Sequence, residues 1–319
     1  MCIMSEFIAS KPNQGEPWDV IVVGSGPSGL TAAIYTTRGA ASTLVLGGEK
    51  WGGQLMLTTE VDNFPGFPEG IMGPDLMANM RKQAERFGAE FIEKNVESVE
   101  NINNVFEITA GGETYSAKSI IIATGAATRW LEVDGMEKLI GRGISSCAPC
   151  DAPFFKGKRV AVVGGGDAAM EEAVVLTKYA SEVLIIHRKN EFRASAVMQK
   201  KVKDNPKIKI LWNSEVIKVI GEDKLEKVVI KNNQTNKEEE RILDGLFVAI
   251  GHKPESDVFK GIVITDEKGY IVVQNGSKTN VPGIYVSGDV HDYTYKQAVT
   301  AAGYGCQAAM EVLKYLQEK

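Results

Sequence analysis

The chain has 319 residues, which at about 150 residues per domain favours two domains. Hydrophobic residues at 44% and charged residues at 24% are ordinary for a globular protein and argue against a disordered or coiled-coil chain. With 36 basic against 41 acidic residues the net charge is −5, so no global field draws the chain to nucleic acid or to an anionic membrane.

In chain order, residues 1–17 read as a flexible lead-in. Glu6 and Glu16, the lack of Arg and the lack of an apolar stretch argue against a secretory or transit peptide. The longest apolar runs, 20–23, 120–123 and 246–250, fall far short of the ~20 residues a membrane span requires. Cys2, Cys147, Cys150 and Cys306 are too few for a disulfide scaffold in a chain this long, which points to a cytoplasmic protein.

Two stretches repeat one pattern. An apolar strand at 19–23 runs into Gly24-Ser-Gly-Pro-Ser-Gly29 and a helix-like run over 30–38. A second strand at 159–163 runs into Gly164-Gly-Gly-Asp-Ala-Ala169 and a helix-like run over 170–178. Strand, glycine turn and helix open a βαβ unit, whose turn lets backbone approach a pyrophosphate at the helix N-terminus. Each copy can head its own dinucleotide-binding domain. Further strands are expected at 42–46, 106–109, 119–122, 182–186, 227–231 and 246–250, with a polar hairpin loop at 232–241. A turn, short strand and Gly-Asp follow at 281–289, and helical spacing covers 296–316.

The strand after each turn selects the nucleotide. In the first copy it ends in Gly47 and Gly48, with Glu49 late for a ribose contact. In the second it runs into His187, Arg188, Lys189 and Arg193, basic where an NAD site is acidic. Guanidinium groups fork onto a 2′-phosphate that a carboxylate would repel, so the second fold is expected to take NADP(H). The lysines 200, 201, 203, 207 and 209 read as a solvated face. Two such folds in one chain indicate electron transfer between a flavin and a nicotinamide, with FAD in the first.

Cys147-Ala-Pro-Cys150, followed by Asp151, is spaced to close and reopen a small disulfide ring. The rival reading is half of a zinc site. Zinc takes about four ligands, and Cys2, Cys306, His187, His252 and His291 are scattered, so no metal is expected. Asp151 is a candidate proton carrier, or alternatively a cap before Pro153.

These residues together resemble the low-molecular-weight thioredoxin reductases, flavoproteins of the pyridine nucleotide–disulfide oxidoreductases. The resemblance runs over nearly all the chain after the lead-in and rests on Gly24–Gly29, 52–55, 59–66, 123–125, 147–151, 164–169, 187–193, 288–290 and 296–298. It implies an α/β protein with two Rossmann-like domains, the NADPH domain (128–255, carrying the CxxC) inserted in the FAD domain (18–127 and 256–319). It implies FAD held by Gly24, Gly26, Pro27, Gly29, Gly53, Gln54, Asn63, Ala123, Thr124, Gly125, Gly288, Asp289, Lys296, Gln297 and Ala298. It implies NADPH held by Gly164, Gly166, Asp167, Ala168, His187, Arg188, Lys189 and Arg193.

Cys150 would be the thiol nearer the flavin, and Cys147 the one that attacks oxidised thioredoxin. A homodimer is implied as well. The chain departs from the family in three places: Lys296 where Arg is frequent, Lys189-Asn190 for Arg-Asp, and Pro149 inside the CxxC. The expected path is NADPH to FAD to the Cys147–Cys150 disulfide to thioredoxin, with the inserted domain rotating on hinges near 126–129 and 251–255. Alternatives are a related reductase with another disulfide acceptor and a non-catalytic NADP(H) sensor.

Overall fold

The structure is a computed structural model and describes residues 9–319; residues 1–8 of the expected lead-in, Cys2 among them, lie outside the described residues. The rest of that lead-in is not wholly loose. Ala9 is buried and its N–H donates to the Phe87 carbonyl at 3.1 Å, while Lys11 pairs with Glu90. The short apolar run that ends at Ala9 gave no periodicity from which to read that anchorage.

The chain divides into two compact units, one formed by the segment up to Ala127 together with Lys253–Lys319, the other by Thr128–His252. The chain passes between them in two short strands, Ala126–Thr128 and His252–Pro254, which are hydrogen-bonded to each other.

In the first unit five strands form a parallel sheet in the order Ile284–Val286, Ile120–Ile122, Val20–Val23, Thr43–Leu46, Glu90–Ile92. The inner strands are buried on both faces, which is why they read as continuous apolar runs rather than alternating ones. Ile21, Val23, Ile120 and Ile122 face one core with Phe106 and Ile108, each large side chain contributing about 1.5–3 kcal/mol on burial. Val20, Val22 and Ile121 face the opposite core with Ala32, Ala33 and Ala308. A three-stranded antiparallel sheet, Val96–Ile102, Val105–Ala110 and Glu113–Ala117, lies between the Glu90–Ile92 and Ile120–Ile122 strands in sequence.

The second unit repeats the layout. Its parallel sheet runs Ile144–Ser145, Gly245–Val248, Arg159–Val163, Glu182–Ile186, Ile208–Leu211, followed by its own antiparallel sheet of Ser214–Ile220, Lys227–Asn232 and Glu238–Ile242. The polar stretch expected to be only a hairpin loop thus contributes a strand. That strand exposes most of its side chains, so no apolar alternation betrays it. In each parallel sheet the glycine turn follows the central strand. Among the described residues no helix is long and apolar enough to cross a membrane.

Candidate active site

In the first unit the helix Pro27–Arg38 begins one residue after Gly26, and Pro27 stands where a helix has no use for its N–H. Gly24 adopts φ +113°, and a Cβ on it would lie 2.2 Å from the Ala123 carbonyl oxygen. The first glycine turn is therefore pressed against residues 123–125 at the end of the neighbouring strand. A Cβ on Gly29 would lie 2.0 Å from the Gly24 carbonyl oxygen, which fixes the close seat of helix on turn. Around Gly26, by contrast, a Cβ would meet nothing within 4 Å. The space over the middle glycine is open, as a pyrophosphate cradle requires.

Other expected residues converge on this turn. Gly53 approaches Gly26, a Cβ on it coming within 3.4 Å of the Gly26 Cα. The Ser25 hydroxyl donates to the Gly47 carbonyl at 2.7 Å and accepts the Gly52 N–H at 2.9 Å, tying the 47–52 loop to the turn. Ser28 and Ser287 share a hydroxyl–hydroxyl bond of 2.5 Å, which brings Gly288 and Asp289 to the start of the helix. The Asn63 amide donates to the Gln297 side-chain oxygen at 3.2 Å, and Gln297 forms a capping box with Thr300 that opens the last helix, Ala298–Gln317. Lys296, at φ +48°, turns its ammonium back onto the Tyr293 carbonyl at 2.5 Å.

Two buried atoms here have no hydrogen-bond partner among the described residues: Asp289 Oδ1 and Thr124 Oγ1. Orphaned buried polar atoms are costly. They lie just past the ends of adjacent parallel strands, at the sheet's carboxyl edge beside the glycine turn. Burial pushes the Asp289 carboxyl up to about 7, with the Asp292 charge adding to the effect and Lys296 opposing it. Open space over Gly26, together with unpaired acceptors at the same edge, fits a dinucleotide with a polyhydroxylated chain, which is the make-up of FAD.

The second unit holds the sulfur chemistry. Cys147 and Cys150 form a disulfide with their Cα atoms 5.3 Å apart. The bridge closes a helical turn, Ala148–Asp151, in which the Cys150 and Asp151 N–H groups donate to the Cys147 carbonyl. Both cysteines are half-buried and Pro149 is exposed. Ser145 accepts the Cys147 N–H at 3.0 Å, and Glu172 accepts the Ala148 N–H at 3.2 Å. Burial raises the Asp151 carboxyl above the usual carboxylate range, against the lowering effect of its bond with the Ser145 hydroxyl. A carboxyl with a raised proton affinity, one residue after Cys150, is placed to exchange a proton during disulfide chemistry. The sequence named Asp151 but not Ser145, which lies two residues before the CxxC without any motif of its own.

The second glycine turn copies the first. A Cβ on Gly164 would lie 2.5 Å from the Ala249 carbonyl oxygen, and Gly166 is again open. Arg188, Lys189 and Arg193 are exposed, and among the described residues Arg188 and Arg193 form no ion pair. Arg193 N–H donates to the Gly165 carbonyl at 2.8 Å, which sets the basic loop beside the turn. His187 takes a different place from its neighbours. Its ring is buried beneath Gly165, bonded through Nε2 to the Glu191 carbonyl at 2.9 Å and packed near Phe192 and Trp212. Burial lowers its pKa, so it supports the loop as a neutral ring. Of the remaining thiols, Cys306 on the last helix bonds the Tyr35 hydroxyl and joins neither site.

The expected flavin residues thus all lie on the first unit, and the disulfide and nicotinamide residues all lie on the second. Residues 18–305 match the family described as pyridine nucleotide-disulphide oxidoreductase. A thioredoxin reductase of Streptomyces clavuligerus is 48% identical over 93% of this chain and 94% of its own length. One from Chlamydia pneumoniae is 48% identical over 93% of this chain and 98% of its own. The crystal structure of thioredoxin reductase from Streptococcus pyogenes superposes with a TM-score of 0.90 at 36% identity, covering 95% of this chain and 99% of that one. The chain belongs to the pyridine nucleotide-disulphide oxidoreductases, flavin- and pyridine-nucleotide-using enzymes, and among them to the thioredoxin reductases.

Proposed function

We propose that the chain is an NADPH-dependent thioredoxin reductase that carries FAD, works in the cytoplasm and assembles as a homodimer. The observation that carries this reading is the half-buried Cys147–Cys150 disulfide, followed at once by Asp151, on the same unit as a glycine turn flanked by exposed Arg188 and Arg193. Gly24, Gly26 and Gly29 would line the flavin's pyrophosphate, and Asp289 and Thr124 would pair with its hydroxyl-bearing chain. A bound flavin would take two electrons from reduced nicotinamide and make them available to the disulfide.

The protein's own groups do the rest. Two electrons break the Cys147–Cys150 bond and leave both sulfurs reduced, with Asp151 donating a proton to one of them. Cys147 thiolate attacks thioredoxin's disulfide, expelling one thioredoxin thiolate and forming a mixed disulfide. Cys150 then attacks Cys147 Sγ, which releases dithiol thioredoxin and restores the internal bridge. Arg188 and Arg193 would fork onto the 2′-phosphate, making NADPH the better donor. Because one unit bears both the nucleotide turn and the disulfide, serving a single flavin calls for that unit to rotate between two poses.

The test is NADPH oxidation by flavin-loaded protein with oxidised thioredoxin as sole acceptor, run beside an NADH control. Turnover with NADPH far exceeding that with NADH is expected. Cys147→Ser and Cys150→Ser should each abolish thioredoxin reduction while NADPH still bleaches the flavin. Bleaching without turnover in the parent protein would replace thioredoxin with another disulfide acceptor.

A further inference from the structure

The loop from Arg188 to Ala194 leaves the Glu182–Ile186 strand after His187 and returns to the glycine turn at two points. One is the Gly165 carbonyl, which accepts the Arg193 N–H at 2.8 Å and the Ala194 N–H at 3.2 Å. The other is Asp167, the first residue of the helix Asp167–Leu176, whose Oδ1 accepts the Ser195 N–H at 2.9 Å and the Ser195 hydroxyl at 2.7 Å. The far end of the loop is held elsewhere: the Lys189 carbonyl accepts the Asn213 N–H at 3.1 Å, and the Arg188 carbonyl accepts the Asn233 amide at 3.4 Å.

Ser195 is also the N-cap of its own helix, Ala196–Lys203, yet its side chain makes no capping bond there. Serine at an N-cap ordinarily bonds the N–H groups two or three residues on. Here the hydroxyl is spent on Asp167, across 28 residues of sequence, in an exposed setting where a polar pair adds little to stability. The bond also engages Asp167, a carboxylate at a helix N-terminus otherwise suited to phosphate, and lowers its pKa further.

We propose that Ser195 is a positioning residue for nucleotide selectivity: its latch on Asp167 holds Arg193 and the basic loop against the glycine turn, and so sets how strongly this site prefers a nucleotide bearing a 2′-phosphate. The inference rests on the reading of Arg188 and Arg193 as 2′-phosphate ligands, and the latch acts through them. Arg193 is tied to Gly165 through its own N–H, and Ser195, two residues on, adds the second tie, so releasing Ser195 loosens the chain just after Arg193 while the Gly165 bonds remain.

The experiment is calorimetric titration of the full-length, flavin-loaded protein with adenosine 2′,5′-bisphosphate and with adenosine 5′-monophosphate, which differ only by the 2′-phosphate. The ratio of the two dissociation constants reports the preference. In Ser195→Ala the ratio should fall about five-fold, the weight of one ordinary hydrogen bond in an exposed setting, with the monophosphate constant moving less than about two-fold. Asp167→Ala, which loses both bonds, should lower it further, and Ser195→Thr should restore it.

An unchanged ratio in Ser195→Ala and Asp167→Ala, while Arg188→Ala and Arg193→Ala lose it, would overturn the latch and leave the 2′-phosphate reading standing. Equal weakening of both ligands would also overturn it, as a general disturbance of the fold. A parent protein with no preference would overturn the 2′-phosphate reading and the latch with it.

Discussion

Asp289 shows what burial does to a single carboxyl. An unfolded Asp titrates near 3.8, whereas in the folded chain burial, reinforced by Asp292, pushes Asp289 up to about 7. Between those values the folded protein holds a proton that the unfolded chain has released. The stabilising contribution is therefore complete below pH 3.8 and is lost as pH rises through about 7. The loss is on the order of a few kcal/mol. Flavin-free protein is expected to melt at a lower temperature at pH 8 than at pH 5, and Asp289→Asn, which cannot ionise, should flatten that slope. Equal slopes in both proteins by calorimetry would contradict the assignment. The Gly-Asp after a short apolar strand was visible in the sequence, and the family resemblance is what marked Asp289 as a site candidate. Asp292 was not, because its task is to accept the Thr294 and Tyr295 N–H groups of an irregular loop, and such a loop has no period. Ser145 and Ser195 escaped for the same reason: what each one bonds is decided by the fold.

The glycine turn as an element separates folding from binding in a way two substitutions can expose. Gly26 has ordinary extended dihedrals, φ −70° and ψ −176°, and open space where a Cβ would go. Gly26→Ala should keep its melting temperature in the flavin-free form yet purify with little flavin, since the methyl group enters the cradle. Gly29→Ala meets the Gly24 carbonyl oxygen at 2.0 Å, so helix and turn must separate, at a cost of about 1–3 kcal/mol or more in stability. Melting curves and the flavin-to-protein absorbance ratio tell the two apart; a Gly26→Ala protein with full flavin would contradict the cradle. Elements of this sort are readable from sequence because strand, turn and helix are contiguous. The antiparallel sheets were harder. In Val96–Ile102 only Val99 is buried, and Glu238–Ile242 buries no side chain fully, so neither shows the alternation of a half-buried strand.

At the scale of the whole molecule, the two units repeat one plan, down to a first glycine pressed on an alanine carbonyl, Ala123 in one and Ala249 in the other. The repeat was visible in the two turns, and the return of the chain at 284–286 completes the first sheet because Ile284–Val286 pairs beside Ile120–Ile122. The division of labour between the units makes rotation testable. A cysteine placed on the surface of each unit, joined by a short thiol cross-linker, should slow thioredoxin reduction at least about ten-fold, with the rate restored when a cleavable linker is cut. The same protein before linking serves as the control. The half-reaction that survives identifies the trapped pose: if NADPH still bleaches the flavin, the nicotinamide turn was held in reach, and if only added dithiol does so through Cys147–Cys150, the disulfide was. Turnover unchanged by a rigid link would mean that one arrangement of the units serves both reactions, and the rotation would have to be abandoned.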